Sequence, residues 1–310
     1  MKVAFVFPGQ GSQSVGMLDA FAKVAVVRQV LDEADEALGE DLRRLIAEGP
    51  AEPLALTVNT QPAMLAAGVA IYRAWLAAGG APPAMMAGHS LGEYSALTAA
   101  GALPLGSAVR LVRFRAQAMQ EAVPAGSGGM AAILGLTDEQ VVQACAEAAQ
   151  GEVVEAVNFN APAQVVIAGH SAAVQRACEA ARRFGAKRAL PLPVSAPFHC
   201  SLLAPAAARL RECLRDEPLA TPAIAVVNNI DVAIERDPAR IRDALARQAA
   251  GPVRWAEIVR RMAAEGVTHV VECGPGKVLA GLTRRIDTSL ESLAITDPAS
   301  IEEAVARLRG

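Results

Sequence analysis

Gly88-His89-Ser90-Leu91-Gly92 is the stretch that most narrows what this 310-residue chain can fold into. Its G-x-S-x-G spacing is that of a nucleophile elbow, a sharp turn from strand into helix. Short, apolar Ala84-Met85-Met86-Ala87 precedes it, set off by Pro82-Pro83, and reads as a strand. Leu91 to Ala100 reads as the following helix, with Gly101 as its C-cap. Gly88 and Gly92 let two backbones approach closely. That geometry would raise the Ser90 hydroxyl above the sheet edge and aim a helix N-terminus at it. The Leu91 amide could then stabilise an oxyanion. An ordinary glycine-rich strand-to-helix turn would carry the same pattern.

The rest of the chain supplies an α/β frame for this turn. Val3 to Phe7 is a continuous apolar run, as in a buried parallel strand. It meets Pro8-Gly9-Gln10-Gly11-Ser12-Gln13, a glycine-rich loop at a strand's C-terminal end, where open α/β sheets place ligands. The loop lacks the spacing and lysine of a phosphate-binding P-loop. Residues 19–48 and 61–78 read as helical. Leu105 to Val123 reads as a helix bearing Arg110, Arg113 and Arg115. Leu111, Val112, Ala118 and Met119 lie one turn either side of Arg115, so that arginine projects from a buried face. A buried guanidinium needs a partner. No acid lies within one turn, so a distant acid or a ligand must supply the charge.

Pro124 to Gly129 is the clearest linker. After it the rhythm becomes β-α-β-β-α-β: strands Met130 to Leu136, Val153 to Phe159, Gln164 to Ala168 and Ala186 to Val194, helices from Asp138 and Ser171. That order is ferredoxin-like. The reading is a discontinuous large α/β domain, residues 1–123 and 196–310, with a small α+β subdomain inserted at 124–195. Beyond the insertion come a helix to about Leu214, a strand Ala223 to Asn228 and helices over 238–249 and 255–265. A strand His269 to Glu272 and a glycine turn then lead into a helix near Val278.

A nucleophilic serine needs a base. Of the four histidines, His89 adjoins Ser90, and neighbouring elbow side chains diverge. His170 follows a strand of the insertion, and His269 lies in or before a strand. His199 sits in a loop at the domain junction, within reach of a cleft, and is favoured. A hydrolase triad would place its acid between serine and histidine. The acids there are Glu93, Glu121, Asp138, Glu139, Glu147, Glu152, Glu155 and Glu179, and none ends a large-domain strand. This argues against a standard hydrolase triad.

The formal net charge of −3 disfavours a nucleic-acid binder driven by overall positive charge. Five cysteines, at 145, 178, 200, 213 and 273, show no C-x-x-C spacing, as expected in a reducing cytosol. The N-terminal apolar run is too short for a signal peptide. No run of 18 apolar residues occurs. A cytoplasmic protein is expected.

Taken together, these motifs resemble the malonyl-CoA:acyl carrier protein transacylase family of fatty acid synthesis. The resemblance spans essentially the whole chain. It is carried by Pro8–Gln13, Gly88–Tyr94, Arg113-Phe114-Arg115, Asn158-Phe159-Asn160, Gln164–Gly169, Val194–His199 and Gln248 before Pro252–Trp255. It implies a hydrolase-like parallel-sheet domain with a ferredoxin-like insertion. It implies Ser90 as nucleophile, His199 as base and acid, and Gln248 as the residue whose carbonyl orients that histidine. Gln10 and Leu91 would supply oxyanion-hole amides, and Arg115 would hold the malonyl carboxylate. Phe198, Asn160 and His89 would line the acyl site. Neither metal nor redox cofactor is implied, and a monomer is expected. The partners would be malonyl-CoA and phosphopantetheinylated acyl carrier protein, the latter docking on a basic patch. Arg182, Arg183, Lys187 and Arg188, or Arg284 and Arg285, are the candidates. A thioesterase, or a relative serving a polyketide synthase or a malonate decarboxylase, is the alternative.

Overall fold

The structure is a computed structural model; residues 1–124 and 126–309 are described, so Ala125 of the linker and Gly310 lie outside it. Five strands form a parallel sheet: β1 (Val3–Phe7), β2 (Met85–Gly88), β7 (Ala225–Val227), β8 (His269–Cys273) and β9 (Glu291–Ile295), in the order β7-β2-β1-β8-β9. Alternation along β1 explains its apolar run. Phe5 and Phe7 face one core, with Met64, Leu65 and Tyr94. Ala4 and Val6 face a second, with Trp255, Ile258 and Leu279. Helices therefore cover both faces, as a parallel sheet requires. Thr57–Ala77, Gly92–Ala99 and Leu105–Glu121 lie on the first side, Trp255–Ala264 and Val278–Ile286 on the second.

A second, antiparallel sheet comes from one contiguous stretch: β3 (Gly128–Leu134), β4 (Val154–Ala161), β5 (Gln164–His170) and β6 (Arg188–Pro191), ordered β4-β5-β3-β6. With the helices Asp138–Ala149 and Ser171–Arg183 on one face, this is the ferredoxin-like arrangement. Its other face holds Met130, Val157, Val166 and Ala168 against Cys200, with Phe198 and Leu202 packed alongside. That packing seats the segment carrying His199. Gly128 makes room for it, because a Cβ there would lie 2.5 Å from the Pro197 ring. Mutual backbone bonds between Val157, Phe159 and Val253 tie β4 to the turn before Trp255.

Several elements differ from the sequence reading. The helical stretch 19–48 is broken: Gly39 takes a left-handed φ of 66° after Ala25–Leu38, and Asp41 caps a separate helix, Leu42–Glu48. The strand expected to run to Val194 pairs only to Pro191, and Pro193 has no amide to continue the ladder. β9 and the helix Pro298–Leu308 were not anticipated. Among the described residues, no helix is long and apolar enough to cross a membrane.

Candidate active site

The elbow turn forms between β2 and Gly92–Ala99, and Ser90 sits at its tip with a left-handed φ of 53°. A Cβ on Gly88 would lie 1.8 Å from the Gly92 carbonyl carbon, and one on Gly92 would lie 2.0 Å from the Phe7 oxygen. Only glycine fits either place. Asn229, fully buried after β7, locks the turn from outside. Its Oδ1 accepts from the Ser90 amide at 2.7 Å, and its Nδ2 donates to the Gly88 carbonyl at 2.7 Å.

His199 Nε2 lies 2.6 Å from Ser90 Oγ, and His199 Nδ1 lies 2.9 Å from the Gln248 carbonyl. A carbonyl only accepts, so the ring proton sits on Nδ1. Nε2 is then left with its lone pair toward the serine. Burial pushes the His199 pKa down to about 3, with the nearby Arg115 cation adding to the effect. The imidazole is therefore neutral near pH 7. Its own φ is 69°, a second left-handed residue at the site.

The other histidines are engaged elsewhere. His89 Nε2 meets Asn160 Oδ1 at 2.8 Å, and its ring tilts against Trp255. His170 Nδ1 accepts from the Val153 amide, and His269 pairs with Glu291.

Arg115 is 2% exposed, among buried Leu111, Val112, Ala118 and Met119. Its Nη1 donates to Gln61 Oε1 at 2.7 Å. Its Nη2 donates to Gln248 Oε1 at 2.9 Å and to Ser90 Oγ at 3.2 Å. The guanidinium carbon lies 5.3 Å from the Tyr94 ring centre. All these partners are neutral. Among the described residues, no carboxylate lies within ion-pair distance of Arg115, and its Nε has no partner. Burial lowers its pKa. The buried cation thus faces a cleft with its charge unmatched by any direct contact.

That cleft opens between the two sheets. Gln10, Gln61, His89, Ser90, Leu91 and Arg115 line one wall, and Met130, Asn158, Leu192 and Val194 the other, with Phe198 and His199 between. Gln10 is exposed at the mouth and holds its side chain toward Thr57. Among the described residues, the amides of Gln10 and Leu91 donate to no backbone or side-chain acceptor. Asn160 lies behind His89 rather than on the wall. Glu93, Asn229 and Gln61 carry much of this geometry and were not singled out from the sequence. Glu93 is 2% exposed, and burial raises its carboxyl pKa to about 7.

The family model for the acyl transferase domain matches residues 4–307. The chain belongs to the acyl transferase domain family. It is similar to the malonyl CoA-acyl carrier protein transacylase of Salmonella typhimurium, at 55% identity over 99% of each chain. It also resembles the crystal structure of an acyl-carrier-protein S-malonyltransferase from Burkholderia pseudomallei 1710b, with a TM-score of 0.97 and 67% identity. That match covers 99% of this chain and 100% of the other. A third acyl transferase likeness is a malonyl-transacylase in complex with a type II polyketide synthase acyl-carrier protein, at 51% identity and a TM-score of 0.98 over 99% and 100% of the two chains.

Proposed function

We propose that this chain moves the malonyl group from malonyl-CoA to the phosphopantetheine thiol of acyl carrier protein through a malonyl ester on Ser90. The single observation that carries this reading is the placement of unmatched Arg115 against Ser90 Oγ, in reach of both the nucleophile and an acyl group's far end. Neutral His199 takes the serine proton as Oγ attacks the thioester carbonyl. The developing oxyanion meets the Gln10 and Leu91 amides, the latter at the helix N-terminus. His199 returns its proton to the departing coenzyme A thiolate. The carrier's thiol then attacks the ester, and His199 serves again as base. Gln248 keeps the ring's orientation through its carbonyl.

Arg115 holds the free carboxylate as a charge-assisted pair, and malonyl brings the counter-charge with it. Phe198, Leu192 and Val194 form an apolar wall that crowds a methyl branch on the α-carbon. This exchange of acyl groups calls on neither metal nor redox cofactor. The protein acts as a cytoplasmic monomer that supplies extender units, for fatty acid synthesis in the first instance. A serine thioesterase would share Ser90 and His199, yet would have no use for Arg115.

The test is intact mass after mixing with malonyl-CoA, then after adding the phosphopantetheinylated carrier. A malonyl adduct is expected on the parent, stable until the carrier arrives, and none on Ser90→Ala. An adduct on Ser90→Ala would refute the nucleophile, and an adduct lost to water before the carrier is added would favour the thioesterase.

A further inference from the structure

Glu93 occupies the first turn of the helix that follows the elbow, three residues past Ser90. Its side chain is buried, and one oxygen does two jobs. Oε2 accepts from the Asn229 backbone amide at 2.9 Å and from Gln248 Nε2 at 2.8 Å. Gln248 Nε2 also donates to the Ser90 carbonyl at 3.0 Å. The other end of that amide, Oε1, accepts from Arg115 Nη2.

A side-chain amide is a donor at one end and an acceptor at the other. Here it lies between a guanidinium, which only donates, and an oxygen that accepts twice. Oε2 keeps both acceptor bonds whether Glu93 is ionised or neutral, because in the neutral acid the proton can sit on Oε1. The amide of Gln248 therefore has a single orientation. Without the Glu93 oxygen, only the Ser90 carbonyl and the guanidinium itself oppose its rotation. A rotated amide would set Nε2 against Nη2, donor against donor, and push the guanidinium away from the serine.

We propose that Glu93 is a positioning residue for acyl selection: through the Gln248 amide it holds Arg115 where the acyl carboxylate must meet it. This rests on the reading that Arg115 grips that carboxylate. It also accounts for a buried acid that contacts neither nucleophile nor base.

The test compares single-turnover acylation by malonyl-CoA and by acetyl-CoA. Acetyl carries no carboxylate for Arg115 to grip, so its rate reports the rest of the site without that pairing. Glu93→Met fills similar volume with no strong acceptor. It should lower the malonyl-to-acetyl ratio about tenfold or more, the scale of a hydrogen bond to a charged group. Glu93→Gln keeps a carbonyl oxygen and should restore the parent ratio. A Glu93→Met protein that slows on both donors alike, with the ratio unchanged, overturns the proposal, since that is the mark of a merely structural residue. If Glu93→Met does not fold, Gln248→Met removes the same amide and decides: a lowered ratio supports the proposal, and a kept ratio overturns it. Arg115→Ala is measured alongside. If it keeps the parent preference for malonyl, the reading of Arg115 itself fails. If it loses that preference while Glu93→Met and Gln248→Met keep it, only the role of Glu93 fails.

Discussion

Arg115 Nη2 lies 3.2 Å from Ser90 Oγ, so the buried guanidinium touches the hydroxyl proposed as the nucleophile. The distance acts as a ruler. An acyl chain esterified at Oγ with its carboxylate on Arg115 has room for very few carbons between the two. Malonyl fits, with a single methylene between its carbonyl carbon and its carboxylate.

Replacing Arg115 with alanine should consequently lose most malonyl transfer. Removing one member of a desolvated charged pair costs about 2–5 kcal/mol, or roughly 30- to several-thousand-fold in rate. Acetyl transfer should rise relative to malonyl, because the unmatched buried cation is gone. Competition between malonyl-CoA and acetyl-CoA on the two proteins measures this. An unchanged preference would make Arg115 a structural residue.

The acid limb of acylation should lie well below the ordinary imidazole range. Burial first, then Arg115, takes the His199 pKa from 6.5 down to about 3. The sign follows from the depressed value: the neutral ring's contribution to stability is present above pH 6.5 and is lost as pH falls through about 3. Because kcat/KM reports the free enzyme, its pH profile should be flat in His199 from pH 5 to 8, on roughly that span. Glu93 also titrates nearby, so the profile is best taken on Glu93→Gln, with acetyl-CoA as donor. Adding Arg115→Ala should move the limb upward. A limb near 6.5 in Glu93→Gln would show that His199 is more solvated than its burial indicates. His199→Ala should cost about 10²–10⁴-fold in acylation.

Ser90, His199 and Arg115 could each be picked out by a local mark, His199 by its loop at the domain junction, while their meeting was implied by the family resemblance. Ser90 has glycines at both flanks, whose missing Cβ atoms are demanded by contacts of about 2 Å with backbone. Arg115 sits among apolar neighbours on its own helix. Gln248 had no such mark, and its place came from the family resemblance; Gln10 was marked by its glycine-rich loop at the end of β1, and only its oxyanion-hole role came from the resemblance. Asn229, and the part Glu93 plays, went unread for a physical reason. The bonds that define them reach 139 and 155 positions along the chain, which no local period reveals. Glu93 was weighed as an orienting acid and set aside because it ends no strand, and indeed it does not touch His199. Among the elements, β9 escaped notice because Glu291-Ser292-Leu293-Ala294-Ile295 alternates poorly, its polar Ser292 being buried. Pairing with β8 makes it a strand.

Carrier docking should depend on Lys187 and Arg188. The chain carries a net charge of −3, so an acidic carrier needs a local basic surface. Of the exposed candidates, Arg183 pairs with Glu147, Arg182 bonds the Ala189 carbonyl, Arg284 bonds Ser292 and Arg285 bonds Gln164. Among the described residues, Lys187 and Arg188 have no carboxylate partner and are exposed. Reversing both to glutamate should raise the KM for carrier protein several-fold at low salt and leave the KM for malonyl-CoA alone. Equal KM values for carrier on the two proteins would move the docking site elsewhere.

Glu93 should also govern how stability changes with pH. Burial raises its carboxyl pKa from 4.5 to about 7, partly offset by Gln248, Asn229 and Arg115. With the folded value above the unfolded one, the neutral acid is the form the fold prefers. Its contribution is full below pH 4.5 and is lost as pH rises through about 7. The loss reaches about 3 kcal/mol, given about 1.4 kcal/mol per pKa unit. Glu93→Gln mimics the neutral acid at every pH and keeps an oxygen for Asn229 and Gln248. Other titrating groups, His199 and Asp231 among them, are common to both proteins and largely cancel in the difference. Urea unfolding at pH 4.5 and pH 8 should therefore show Glu93→Gln gaining on the parent by up to that amount at the higher pH. A stability difference that stays constant across the range would mean that water reaches the Glu93 carboxyl, and its interior role would have to be redrawn.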